Sequence, residues 1–155
     1  MKIVYEGSKI TVFTDNMGKP VKVIHEVGYD GKIVDRKEVT GYTNANTKPY
    51  ERGHIFSFQE GLSDNCIEDS PLNIIPQSTP VNSPKIRQFE EYRAEDCKGM
   101  KVITDINITD PPGYVRVRVP EAGIDVRYNP LATKESAKDW GRYWYMPENS
   151  GKVYD

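Results

Sequence analysis

With 155 residues, 37% hydrophobic and 28% charged, the chain has the length for one domain around one ordinary core and is too apolar to be disordered. No apolar run approaches the roughly 20 residues that cross a bilayer, and Met1 to Glu6 sets an acid where a signal peptide carries its apolar stretch, so neither membrane contact nor an export signal is expected. A formal charge of −2 excludes a global electrostatic drive toward nucleic acid and leaves only a local basic patch for that purpose.

The N-terminal third reads as an antiparallel meander. Lys2–Tyr5 and Lys9–Phe13 flank a turn at Glu6-Gly7-Ser8, Val21–Val27 alternates, and a strand starts at Lys32 after the turn Tyr29-Asp30-Gly31. Residues 40–50 are turn-rich and predict a loop leading to His54, followed by a short strand over Ile55–Phe58 and a polar loop from Gln59 to Ser70. A helix is predicted over Ser83–Asp96, with Asn82 as N-cap, Pro84 in the first turn and Gly99 just beyond the end. On such a helix Asn82, Ile86 and Glu90 fall within about 80° of one another. Strands follow over Lys101–Ile108, Tyr114–Val119 and Ile124–Tyr128. A short helix is expected between Ala132 and Arg142, then aromatic residues packing back on the sheet. The class is α+β, a single domain over residues 1–155 with a mostly antiparallel sheet.

Charges segregate along the chain. Basic residues gather at Lys19, Lys22, Lys32, Arg36 and Lys37 and again at Arg116, Arg118 and Arg127, while Glu60, Asp64, Glu68 and Asp69 form an acidic group. A cleft and a solvated surface both fit this pattern. Arg116 and Arg118 alternate with valines, as on the solvated face of a half-buried strand. Tyr143-Trp144-Tyr145 reads as packing rather than base stacking. Cys66 and Cys97 are too few for a four-ligand zinc site; they read as buried thiols or one disulfide, with the reduced state favoured.

The central segment carries the chemistry. Glu51-Arg52-Gly53-His54, Asn73-Ile74-Ile75-Pro76-Gln77, Asn82 and Glu90 combine a histidine, an arginine and well-spaced amides. Phosphodiester hydrolysis needs a base for the attacking water and positive charge on the phosphate and leaving oxygen. A histidine near its ordinary pKa of about 6.5 suits the first task, and an arginine with a hydrated Mg2+ suits the second. Only His25 and His54 are present, and neither has a paired ligand, which excludes a zinc-bound histidine nuclease. His25 reads as a surface or hydrogen-bonded residue.

The pattern resembles the DNA/RNA non-specific endonuclease family of the ββα-metal, or His-Me finger, superfamily. Its signature is Asp-Arg-Gly-His, Asn-x-x-Pro-Gln, Asn, then Glu on the next helix. Here Asn73 and Asn82 are nine residues apart and Asn82 and Glu90 eight, as in the family; Glu51 replaces the Asp, and Ile86 stands where an aromatic is common. The resemblance covers residues 51–96 and implies a central strand–loop–helix metal motif. It further implies His54 as general base, Asn82 as the Mg2+ ligand (with Mn2+ as a substitute), and Arg52 and Asn73 supporting the phosphate and the site. Glu90 touches the ion's water shell, and Glu51 and Gln77 support the site from behind. Arg36 is the candidate for a further phosphate-binding arginine. The implied activity is cleavage of DNA and RNA to 5′-phosphates. Because no export signal is expected, the chain reads as a toxin domain of a larger secreted protein restrained by an immunity or inhibitor protein. Two other classes stay open: a catalytically silent relative that binds nucleic acid or protein, and an adaptor or immunity-type protein with coincidental site residues.

Overall fold

The computed structural model describes residues 2–6, 9–28, 50–57, 60, 71–107 and 113–155. The strand expected at Lys32, the role given to Arg36 and the state of Cys66 lie outside the described residues.

In chain order the elements are β1 (Lys2–Glu6), β2 (Ile10–Thr14), β3 (Pro20–Glu26), β4 (Tyr50–His54), β5 (Ile74–Ser78), α1 (Arg87–Asp96), β6 (Lys101–Ile106), β7 (Val115–Val119), β8 (Ile124–Tyr128), α2 (Lys134–Asp139) and β9 (Val153–Tyr154). Seven strands make one sheet in the order β1-β2-β3-β6-β7-β8-β9, while β4 and β5 pair as a separate two-stranded ribbon. All pairings are antiparallel except β8 with β9. The architecture is α+β and mostly antiparallel, as the alternating segments predict.

Alternation divides the large sheet into an apolar and a charged face. Val12, Val23, Val102, Ile106, Val115, Val117, Val119, Ile124 and Val126 are buried on the inner face. They join one core with Ile74, Ile75, Ile86, Phe89, Trp140, Trp144 and Tyr145 from the ribbon, α1 and the C-terminal segment. The aromatic tail does pack inward: Trp144 is fully buried, edge-on to Phe89 and Tyr128, and Tyr145 stacks on Phe89 with centroids 4.9 Å apart. Tyr143 stays exposed. On the outer face Arg116 makes a bidentate pair with Asp125 at 2.9 and 2.7 Å, and Arg118 reaches Asp105 at 2.7 Å. This is a solvated strand face with its charges matched, as the valine alternation suggests.

Three local expectations are corrected. The strand near His54 ends there instead of starting there: Tyr50–His54 finds a partner in Ile74–Ser78, whereas Ile55 and Phe56 bend away. Pro76 conceals this pairing in the sequence, because a proline demotes a strand unless it lies on an edge or a ribbon, where a missing donor is tolerated. Glu60, expected in a polar loop and grouped with acids that fit a cleft or a solvated surface, is fully buried. The helix expected from Ser83 is interrupted: Ser83 has φ −146° and ψ 117°, outside the helical region, and the uninterrupted helix is Arg87–Asp96. Asn82 therefore caps no helix with its side chain, and the ideal-helix angle relating Asn82 to Glu90 does not apply. Gly99 does adopt the left-handed conformation, φ 78°, with its N–H donating to the Val27 carbonyl. Cys97 is a buried free thiol. Among the described residues no helix is long and apolar enough to cross a membrane.

Candidate active site

The ribbon sets most of the signature residues. In its register Glu51 lies opposite Gln77, Arg52 opposite Pro76, Gly53 opposite Ile75 and His54 opposite Ile74. Side chains alternate along a strand, so Glu51 and Gly53 share one face and Arg52 and His54 the other. Arg52 is exposed, and Glu51 and His54 are half-buried. The strand alone does not deliver His54 and Glu51 to one point. His54 is the last residue of β4, where the chain leaves the ribbon.

Glycine at position 53 has a steric reason. A Cβ there would lie 2.3 Å from Cδ, 2.4 Å from Cγ and 2.6 Å from Oε1 of Gln77. The Gln77 side chain is fully buried over the bare glycine, with Nε2 3.4 Å from the Tyr128 hydroxyl and Oε1 without a hydrogen-bond partner among the described residues. Gly53 and Gln77 thus form a close-packed floor beneath the strand.

Asn73 fastens the chain directly after His54. It is buried; its Oδ1 accepts from the Phe56 N–H at 2.9 Å and its Nδ2 donates to the Phe56 carbonyl at 2.8 Å, while the Ile55 N–H donates to the Asn73 carbonyl at 2.9 Å. Three bonds fix the exit from β4. Both ends of the Asn73 amide are engaged with the backbone of Phe56.

Asn82 comes back to the ribbon. Its Nδ2 donates to Glu51 Oε1 at 3.3 Å across 31 residues of sequence, and both side chains are half-buried. This is the one pair of signature side chains that a described hydrogen bond joins. An amide and a carboxylate meet there, and the oxygens these two groups carry are of the hard kind that suits a hydrated Mg2+ held by few protein ligands. Among the described residues no group of three or more His, Cys, Asp or Glu could hold a metal.

Glu90 sits in the first turn of α1 and retains some solvent contact. Burial pushes its carboxyl up to about 8; Arg93 opposes the rise, and Glu60 and Glu91 add to it. It is therefore mostly protonated near neutral pH and can donate a hydrogen bond. Its electrostatic neighbours are Arg93, Glu60 and Tyr128. The buried charges of Arg93 and Glu60 act on it from one side and the exposed pair Arg87 and Glu91 from the other.

That cluster was not legible as such. Glu60 accepts from Arg93 Nε at 2.6 Å and Nη2 at 2.9 Å, meets His25 Nε2 at 3.0 Å, and accepts from the Ser57 N–H at 2.8 Å. Burial alone would raise the Glu60 carboxyl, but Arg93 and then His25 outweigh it and hold the group well below the usual carboxylate range. His25 is thus a hydrogen-bonded core residue, tilted against Phe56 at 5.3 Å. A signal for Arg93 does exist in the sequence: it follows Ile86 and Phe89 at helical spacing on the apolar face, where a guanidinium needs a buried acid. Nothing near Glu60 marks it as that acid. Through Ser57 the cluster grips the chain three residues beyond His54.

Compared with protein-family models, curated proteins and solved structures, the chain matches none.

Proposed function

We propose that the chain is a metal-dependent, sugar-non-specific endonuclease that hydrolyses phosphodiester bonds in DNA and RNA. The observation that carries the reading is the return of Asn82 to the Glu51 edge of a ribbon that also bears Arg52 and His54. It joins the first and third parts of the signature across 31 residues. The chain order strand, strand, helix supports the ββα-metal reading, as do Asn73, which fixes the backbone after His54, and Gln77, which packs under Gly53.

In this reading His54 takes the proton of the attacking water, and Arg52, exposed on the same face, pairs with the phosphate. Mg2+, with Mn2+ as a substitute, would be anchored by Asn82 and would neutralise charge on the phosphate and the departing 3′ oxygen. Glu90, carrying its proton at neutral pH, has one hydrogen bond to donate and in this reading meets the ion's water shell. Hydrolysis leaves a 5′-phosphate and a 3′-hydroxyl. An enzyme of this kind acts as a toxin domain kept silent by an immunity or inhibitor protein.

A second reading, a catalytically silent module that binds nucleic acid or protein, draws on one observation: alternation sets His54 and Glu51 on opposite faces of β4. Incubation with plasmid DNA and with RNA separates the two. The endonuclease degrades both with Mg2+, stops with EDTA, and is lost in His54→Ala and Asn82→Ala. Degradation that ignores EDTA or survives His54→Ala refutes the mechanism. Nucleic-acid binding without cleavage under any divalent ion favours the module.

A further inference from the structure

The contact between Glu51 and Asn82 is long for what it joins. Hydrogen bonds to an ionised carboxylate run to about 2.7–2.9 Å, whereas Asn82 Nδ2 and Glu51 Oε1 are 3.3 Å apart. An amide's oxygen and nitrogen ends exchange by half a turn about a terminal torsion with broad, roughly two-fold preferences, and the choice follows whatever partner is present. After that half-turn Asn82 Oδ1 stands where Nδ2 stood, 3.3 Å from Glu51 Oε1. Two neighbouring oxygens on an octahedral Mg2+, each about 2.1 Å from the ion, are about 3.0 Å apart. The spacing of the pair is therefore within about 0.3 Å of what two adjacent ligands of one ion require.

We propose that Glu51 is a direct ligand of the divalent cation beside Asn82, so that the ion sits between an amide oxygen from the segment after β5 and a carboxylate from β4. The inference rests on the endonuclease reading and adds a ligand to it. Glu51 stands where the family pattern has Asp, and its extra methylene supplies the reach across the ribbon. Both ligands are tied to β5: Glu51 is paired with Gln77, and Asn82 follows Gln77 by five residues. Without the ion, Asn82 turns its amide nitrogen to the carboxylate and the pair satisfies itself. With the ion, both present oxygen, and half of the added charge is neutralised by Glu51.

Mn2+ binding to the nucleic-acid-free protein, followed by electron paramagnetic resonance and water-proton relaxation, tests this without recourse to activity. Wild type, Glu51→Gln, Glu51→Asp and Asn82→Ala are compared, each checked for a native circular dichroism spectrum. Glu51→Gln is expected to weaken Mn2+ binding at least tenfold, Glu51→Asp to bind with intermediate affinity, and Asn82→Ala to lose as much as Glu51→Gln or more. Glu51→Gln that binds as tightly as wild type, beside an Asn82→Ala that does not, overturns the inference and leaves the endonuclease reading standing. Wild type that neither binds Mn2+ nor cleaves nucleic acid overturns both.

Discussion

Replacing Glu60 by Gln removes one charge from a cluster that has almost no access to water. The Glu60 side chain is 0% exposed and that of Arg93 3%, and five donors converge on the two carboxylate oxygens: Arg93 Nε, Arg93 Nη2, His25 Nε2, Ser57 N and Ser57 Oγ. Glutamine keeps the volume but turns an NH2 group toward at least one of these donors and leaves the guanidinium uncompensated. Breaking a buried ion pair on one side costs about 3–5 kcal/mol, against a total stability on the order of 5–15 kcal/mol. Urea unfolding followed by tryptophan fluorescence should show the midpoint falling by about 2 M for an m-value of about 2 kcal/mol/M, with m unchanged. The double variant Glu60→Leu, Arg93→Met should recover part of the loss, because neither charge is then stranded. The pH dependence has a fixed sign. The folded-state pKa of Glu60 lies below its unfolded value of about 4.5, so its contribution is complete above that pH and is lost as pH falls below it. A Glu60→Gln loss under about 1 kcal/mol, or one that persists undiminished in acid, refutes the view that this pair holds the loop beyond His54.

Gly53→Ala forces a methyl group against the buried Gln77 side chain and should cost about 1–3 kcal/mol by thermal unfolding, with cleavage falling alongside; a neutral substitution would mean that Gln77 moves freely. Asn73→Ala strands the backbone N–H and carbonyl of Phe56 and should destabilise by about 2–4 kcal/mol, read in urea, with faster amide exchange at Phe56 than elsewhere in the core. Glu90 has the opposite linkage to Glu60. Its folded pKa of about 8 lies above the unfolded value, so the fold is weakened as pH rises from about 4.5 through 8. Glu90→Gln should therefore match wild type near pH 4 and exceed it by about 1–3 kcal/mol at pH 9, while keeping nuclease activity near neutral pH because the amide also donates; a pH-independent difference would contradict the shifted carboxyl.

Local pattern carried the sheet well. Strand Ile124–Tyr128 and the alternation of Val115–Val119 are legible because an inner apolar face and an outer charged face follow a period of two. The inward turn of Trp144 is legible from its size and apolarity. What escaped depends on partners far along the chain. Tyr50–His54 has no convincing alternation and becomes a strand only when Ile74–Ser78, with its proline, lies beside it. Glu60 is an ordinary loop acid until Arg93 and His25 close on it from 33 and 35 residues away. At the candidate site, residue types and spacings could be read directly. The meeting of Glu51 with Asn82 could not, because a non-helical Ser83 decides which way Asn82 faces.

That interruption at Ser83 also divides the candidate site mechanically. Asn82 lies four residues beyond β5 and is tied to Glu51 on β4; Glu90 lies beyond the break, on α1. A change of protonation or packing under α1 is therefore transmitted to the pair on the ribbon through an extended residue, not along a stiff rod of helix. The two halves can be altered separately: stability from the Arg93 side and, in the endonuclease reading, ion affinity from the Glu51 side, with the extended Ser83 between them.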